Sequence, residues 1–506
     1  MTAQQQPYHI VIVGGGTAGW MTAAALARCA PPAYRITLIE SEEIGTVGVG
    51  EATIPAIRVF NAALGIDEGE FLSATNGSFK LGISFDGWLA PGHSYMHAFG
   101  EIGRPFGLVP FRDHWARARA AGFAKPLAHY SVNELAARTG RMPHGPHGDG
   151  QVEVPYAYHF DAGRYAAFLR RFAEGLGVTR IEGRIASIER HGETGDLAGV
   201  TTEAGAHLAG DFFIDCSGFQ GLLIEQELQT GHDDWSHWLP CDRAMAVPCE
   251  AGGDFTPFTR SIARTAGWQW RIPLQHRIGN GMVFCSQFMS DDEAAATLLA
   301  NLDGKPLADP KPLRFVTGKR RKLWHRNCLA VGLASGFMEP LESTSIHLIQ
   351  STIARFLRML PRGPVAPALV DEFNRQADFE FASIRDFLIL HYKANGRVGE
   401  PFWDHCRAMA IPDSLAARIE QFRSGSFIHH HHEELFTEVG WFQVLVGQGV
   451  LPESWNAAAD AMPEGKLREF MALLEGSAIE QARPAAQHID VVARLCAAAQ
   501  TTGEAA

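Results

Sequence analysis

The 506-residue sequence has no uninterrupted apolar run of the roughly 18–20 residues a membrane-spanning helix needs, so no span is expected. It has no surplus of positive charge either. Lys and Arg number 44 against 56 Asp and Glu, a formal charge of −12, where a general nucleic-acid binder would carry a basic face. Met1 to Tyr8 is polar without a basic stretch, so no secretory leader is expected. The eight cysteines (29, 216, 241, 249, 285, 328, 406 and 496) form no C-x-x-C pair and no zinc-like spacing. Reduced thiols in a cytoplasmic protein follow as the expectation. No H-E-x-x-H occurs, and in the run His429–His432 only the two end residues can share a helix face, so no metal site is expected. A hydrophobic fraction of 46% leaves ample material for the core of a globular α/β enzyme.

The opening reads as a βαβ unit. His9–Val13 is a short apolar strand, Gly14–Gly19 a turn, Trp20–Ala30 an alanine-rich helix and Tyr34–Ile39 a second strand closed by Glu40. Gly14, Gly16 and Gly19 make a G-x-G-x-x-G with Thr17 and Ala18 inside it. Such a loop gives a tight turn, close backbone approach to a pyrophosphate at a helix N-terminus, and an acid for the ribose hydroxyls. Strands are expected at 184–189, 198–202 and 212–215, and further strands across 243–287. An amphipathic helix is expected over 343–360, with Ile346, Ile349 and Ile353 on its apolar stripe and Pro361 stopping it. Beyond Pro367 the pattern is mainly helical. The expected organisation is a discontinuous nucleotide-binding portion over 1–360, with a substrate-facing insertion near 90–150, followed by a helical portion over 361–506.

A second G-x-G-x-x-G is missing, so the chain binds either a nicotinamide alone or FAD that is reduced elsewhere. Two stretches favour FAD by resemblance: the glycine-rich Glu43–Pro55 resembles a strap over the flavin, and Phe212–Gly221, with the text FFIDCSGFQG, resembles the second nucleotide-contacting strand and loop of FAD-binding folds. Also missing is the Gly-Asp that aromatic hydroxylases place on the flavin's ribityl chain, because Gly332 is followed by Leu333.

Together with the glycine loop, the string Trp268-Gln269-Trp270-Arg271-Ile272-Pro273 (WxWxIP) resembles the flavin-dependent halogenases typified by tryptophan halogenase. Phe337, Pro340 and Ser343 resemble that family's FxxPxxSxG string, with Ser345 where glycine stands in it. The resemblance implies a flavin monooxygenase-type Rossmann-like fold. The cofactor would be FAD, used as FADH2, with contacts from Gly14, Gly16, Thr17, Ala18, Gly19, Glu40, Val49, Ala52, Ile185, Leu333 and Ile346. It implies a two-component enzyme served by a separate NAD(P)H-dependent flavin reductase, using oxygen and chloride or bromide. Hypohalous acid would pass to Lys80, which hydrogen-bonds it or, as the free amine, carries the halogen covalently. Glu342 would stabilise the charge developing on the ring or take the departing proton. The backbone of Thr344 and Ser345 would hold the halide at the N-terminus of a helix that Ser343 or Thr344 caps, where N–H groups and the macrodipole favour an anion. Trp268 and Trp270, on one side of a strand, read as core that also screens the flavin.

An electron-rich arene suits this chemistry, and His93–Phe99 with Trp441 and Phe442 are candidate lining. The family's tryptophan-specific members clamp the amino-acid backbone with a paired-tyrosine region. Residues 426–449 contain no Tyr-Tyr, which favours indole or a larger indole-bearing or phenolic compound. The rival readings are an FAD-dependent aromatic monooxygenase and a non-catalytic flavin-binding protein.

Overall fold

The computed structural model describes residues 7–44, 50–144, 154–252 and 254–503. The chain divides into two units, each gathered from three stretches. The first holds Met1–Asn76, Phe160–Ser236 and Phe315–Phe381; the second holds Gly77–His159, His237–Arg314 and Ala382–Ala506.

The first unit is built on a six-stranded sheet in the order Trp324–His325, Cys328–Ala330, Phe212–Asp215, Tyr8–Val13, Tyr34–Glu40, Thr179–Glu182. Every pairing is parallel except the one at the Trp324 edge. Ile10 to Val13 are buried without a break, as a strand covered on both faces requires. Val11 and Val13 pack with Leu197, Val200, Leu208 and Phe213 in one apolar cluster. The helix Thr17–Cys29 packs against the helices Ala162–Gly175 and Ser345–Arg358. It begins three residues before the expected start, because Gly16 serves as its N-cap and Gly19 already lies within the first turn. Of the three strands expected between 184 and 215, Ile185–Arg190 and Leu197–Thr202 pair antiparallel with each other and with His207–Ala209, whereas Phe212–Asp215 does not join them but lies parallel in the six-stranded sheet, between Tyr8–Val13 and Cys328–Ala330.

The second unit carries a seven-stranded sheet in the order Lys311–Arg314, Arg243–Glu250, Arg277–Phe284, Gly267–Pro273, Thr259–Arg264, Gly82–Asp86, Ser94–Ala98. All seven residues of Gly267–Pro273 are buried. Trp88 packs edge-on to Tyr392 and Trp403, and its ring lies 6.4 Å from Trp268. The indoles of Trp88 and Trp403 donate to Ser261 O (3.0 Å) and Arg264 O (2.8 Å), so both hold the strand Thr259–Arg264. The end of the chain is helical, in Pro401–Ala408, Asp413–Gly425, Glu438–Gly447, Glu464–Ala482 and His488–Gly503. Among the described residues no helix is long and apolar enough to cross a membrane.

Candidate active site

The glycine loop is shaped from both sides. Gly14 sits at φ +113°, and a Cβ there would lie 2.2 Å from Cys216 O; one at Gly19 would lie 1.9 Å from Gly14 O. Gly16 is different. Its backbone is extended, and among the described residues no side chain caps the helix it starts and a Cβ there would meet nothing within 4 Å. The open space lies at the helix N-terminus, where the first-turn N–H groups of Thr17, Ala18 and Gly19 have no intrahelical acceptor, which fits a pyrophosphate. Glu40 ends the second strand and accepts from Arg180 Nε (2.6 Å) and Trp20 Nε1 (3.3 Å), leaving lone pairs for ribose hydroxyls.

Gly332, at φ +69°, closes on the same loop: a Cβ there would lie 2.7 Å from the Ala18 Cβ, which places the turn of Leu333 against the glycine loop. Ala52 and Ile346 are buried in this unit. Ile185 packs beneath the sheet on the cluster of Val11 and Val13. Val49 falls outside the described residues. Sequence reasoning missed Asp215. Its buried carboxylate accepts from Ser217 N and Oγ, Leu223 N and Ile224 N at 2.6–3.0 Å, and so folds the FFIDCSGFQG turn beside Gly14. An acid ending a buried strand before Ser-Gly was the available signal.

The expected anion turn lies in the same unit. A 3-10 turn, Pro340–Glu342, leads to Ser343 at φ +59°, and the helix Ser345–Arg358 follows with Thr344 as N-cap residue. The helix starts two residues inside the expected 343–360, and the Thr344 hydroxyl does not cap it. Ser343 is used to turn the chain in the left-handed region, and Thr344 has helical backbone angles, so its side chain cannot reach forward. Thr344 Oγ1 is buried without a hydrogen-bond partner among the described residues. Ser345 takes the glycine position at no conformational cost because it is already helical. Glu342 is buried.

The helix is further held by Glu380, which accepts from His347 Nε2 (2.9 Å), Ser351 Oγ (3.0 Å) and Arg355 Nη2 (2.7 Å). Burial alone would raise the Glu380 carboxyl, but His347 and Arg355 outweigh it and bring it down to about 2.

Lys80 belongs to the second unit. It ends the strand Ser78–Lys80, is fully buried, and holds its Nζ 5.4 Å from the centre of the Phe99 ring. The strand pairs antiparallel with Ala157–Phe160, setting Ser78 opposite His159. Ser78 Oγ donates to Pro273 O (2.7 Å), so it can only accept from His159 Nδ1 (3.0 Å); His159 Nε2 then accepts from Thr259 Oγ1 (2.9 Å). Nδ1 carries the hydrogen, and Nε2 is an acceptor when the ring is neutral. Burial, and next the charge of Lys80, push His159 well below its ordinary value. Pro273 is the last residue of the WxWxIP string, so the structure ties the lysine strand to the tryptophan strand. His159 had no signal in the sequence.

Trp268 and Trp270 are both buried, with ring centres 6.0 Å apart. Gly281 makes room for Trp270, since a Cβ there would lie 2.0 Å from the ring.

Of the expected lining, His97 joins an aromatic cluster with Phe387 (5.5 Å) and Phe436 (6.0 Å), and Trp441 meets Phe387 edge-on at 4.7 Å. Phe442 turns away onto Trp115 and Phe422. The helix Glu438–Gly447 docks by pairing Gln443 with Ala98, donating and accepting at 3.0 and 2.9 Å. Gly440 and Gly447 allow the approach, as a Cβ at either would strike His97 or Tyr95. His429–His432 is a loop rather than helix, so its spacing carries no shared face. Among the described residues no group of three or more His, Cys, Asp or Glu is arranged to hold a metal ion.

The family model for tryptophan halogenase matches residues 9–464. The chain belongs to the tryptophan halogenase family. This halogenase is 34% identical over 504 residues to a tryptophan 6-halogenase of Streptomyces toxytricini, covering 93% of this chain and 95% of that one. Among solved structures it superposes on a flavin-dependent halogenase from Xanthomonas campestris with a TM-score of 0.94 and 46% identity, over 97% of this chain and 99% of that chain. One from Brevundimonas sp. BAL3 gives 0.92 and 42%, over 97% and 99%. The halogenase is therefore a flavin-dependent oxidoreductase with the expected α/β fold, and the hydroxylase reading is set aside.

Proposed function

We propose that the halogenase takes FADH2 from a separate NAD(P)H-dependent flavin reductase and uses oxygen with chloride or bromide to halogenate an electron-rich arene, indole or an indole-containing compound. Bound reduced flavin would supply, with oxygen, the two-electron oxidation of halide to hypohalous acid. Gly14–Gly19 would hold the pyrophosphate and Glu40 the ribose, with Ala52, Leu333 and Ile346 lining the flavin's path. The backbone N–H groups of Thr344 and Ser345 would hold the halide without a full positive charge, keeping it exchangeable. Trp268 and Trp270 would exclude the organic substrate from the flavin.

Lys80 would donate a hydrogen bond to the hypohalous oxygen as it leaves, or carry the halogen as the free amine, and so aim it at one ring carbon. Glu342 would stabilise the positive charge on the ring and accept the proton lost from it. One observation carries this reading: Lys80 is a fully buried lysine on a strand bonded to the end of the tryptophan strand. Burying a lysine is costly unless its charge is used. The aromatic cluster around His97 and Trp441 supports a flat arene. The relatives' names point to tryptophan, whereas the absence of Tyr-Tyr in 426–449 favours an indole without the amino-acid backbone.

Supplying indole and free tryptophan in equal amounts, with chloride and bromide in separate arms, tests this by mass spectrometry. Halogenated indole in excess of halogenated tryptophan supports the reading. The reverse excess refutes the substrate assignment, and hydroxylated product alone refutes the halide assignment.

A further inference from the structure

The strand that carries Lys80 is an edge strand, and one of its backbone bonds comes from an unexpected source. Ser78–Lys80 is three residues long and lies at the edge of its small sheet, laddered to Ala157–Phe160. Backbone N–H groups alternate in direction along a strand, so the Phe79 N–H faces outward when those of Ser78 and Lys80 face the partner. A buried N–H needs an acceptor. It finds one 409 residues away: Phe79 N donates to His488 Nε2 at 3.0 Å.

His488 is built for that task. Its Nδ1 lies 3.0 Å from Phe255 O, and a carbonyl only accepts, so Nδ1 carries the hydrogen and Nε2 is bare. The ring is stacked on Phe255, 4.5 Å between centres and 12° from parallel, and is almost wholly buried. Its main chain is pinned as well. His488 N donates to Gly140 O (2.8 Å), Ala486 and Gln487 ladder with Met142 and Arg141, and Arg141 Nη1 donates to Ala485 O (2.6 Å). The helix His488–Gly503 then runs on from this anchored point.

We infer that His488 is a positioning residue for Lys80: its imidazole takes the place of a neighbouring strand at the lysine strand's open edge and fixes the height and direction of the Lys80 backbone. The inference rests on the reading that Lys80 delivers the halogen. Ser78, one residue before Phe79, donates its hydroxyl to Pro273 O and accepts from His159 Nδ1, so the strand is held by side-chain bonds at two successive residues as well as by its ladder. Burial lowers His488 to about 4, which keeps Nε2 a bare acceptor at neutral pH.

Two substitutions separate the two arms of the ring. The glutamine oxygen reaches about as far from the backbone as Nε2, so His488→Gln keeps an acceptor for Phe79 and loses the bond to Phe255. Asparagine reaches only as far as Nδ1, so His488→Asn keeps the Phe255 bond and loses the acceptor. The first readout is hydrogen exchange of the peptide spanning 77–82 in the flavin-free protein. The second is halogenated product formed per flavin reoxidised. Because displacing a reacting group by about 1 Å costs on the order of 10²-fold, His488→Asn is expected to lose about 10- to 100-fold in product. Flavin reoxidation should be unchanged, so product formed per flavin falls by the same factor. Exchange at 77–82 should quicken by about 10-fold. His488→Gln is expected to recover most of both.

Equal loss in the two variants would overturn the inference, as would faster exchange with product unaffected, or wild-type behaviour of His488→Asn. A Lys80→Ala control read in the same assay keeps the two levels apart. Product persisting in Lys80→Ala would overturn the lysine's role itself, whereas exchange in the histidine variants reports on the Phe79 bond alone.

Discussion

Gly16→Val separates folding from flavin binding more cleanly than any other change in the glycine loop. The residue sits at φ −71° and ψ −173°, angles open to valine, and a Cβ there meets nothing among the described residues within 4 Å. Losing glycine at an N-cap costs roughly 0.5–1 kcal/mol, while stiffening the unfolded chain returns about 0.4–1 kcal/mol. The two nearly cancel, so the thermal midpoint of the flavin-free protein should move by no more than a few degrees. Flavin affinity should collapse. The added side chain fills the space through which first-turn N–H groups meet a pyrophosphate, and two charge-assisted hydrogen bonds are worth about 3–6 kcal/mol together. At about 1.4 kcal/mol per tenfold, Kd for FAD should rise roughly 10²- to 10⁴-fold, read by quenching of flavin fluorescence. Gly19→Ala is the contrast, because its Cβ would lie 1.9 Å from Gly14 O and the loop itself must shift; its midpoint should fall. FAD binding by Gly16→Val within threefold of the parent would refute the assignment of this loop.

Three further changes probe the rest of the machinery. Glu380 is held at about 2 from an ordinary 4.5, so its contribution, on the order of 3 kcal/mol, is complete above pH 4.5 and is lost as pH falls from there toward 2. Glu380→Gln should flatten that acid limb in urea titrations and cost about 3–5 kcal/mol at neutral pH, since His347 and Arg355 lose their partner; an unchanged acid limb would contradict this. Gly281→Ala drives a methyl to 2.0 Å from the Trp270 ring and 2.6 Å from Met245 O, and should cost about 1–3 kcal/mol with a shift in tryptophan fluorescence. Unchanged fluorescence and stability would show that Trp270 is not packed there. Thr344→Val removes a buried hydroxyl that has no partner among the described residues, so stability should hold or rise by up to about 1 kcal/mol. If the backbone holds the halide, KM for chloride should stay within twofold, and a tenfold rise would move that role to the hydroxyl.

What the sequence made legible is local. A glycine loop between an apolar strand and an alanine-rich helix leaves one backbone solution, and the apolar stripe of Ile346, Ile349 and Ile353 is a property of one segment. The helix at 345 was legible but its cap was not, because whether Thr344 reaches forward depends on backbone angles set by the preceding left-handed Ser343. Side chains whose partners are distant in the chain left no trace. Glu380 meets Arg355 25 residues away, Lys319 meets Asp233 across the first unit, and His488 meets Phe79 across 409 residues. Periodicity reports which face of an element is buried, not which remote segment buries it. The interleaving of two units from six stretches is of the same kind. His159 was silent for another reason: a lone histidine in a strand has no pattern, and its meaning comes from Ser78 and Thr259 on neighbouring strands.

The most direct test of the account is the product formed by the parent protein and by Lys80→Ala from indole, FAD, a generic flavin reductase, NADH, oxygen and bromide. The account predicts brominated indole, with its paired isotope peaks, from the parent. It predicts none from Lys80→Ala, which should still reoxidise flavin at the parent's rate. Brominated indole formed equally by both would contradict it.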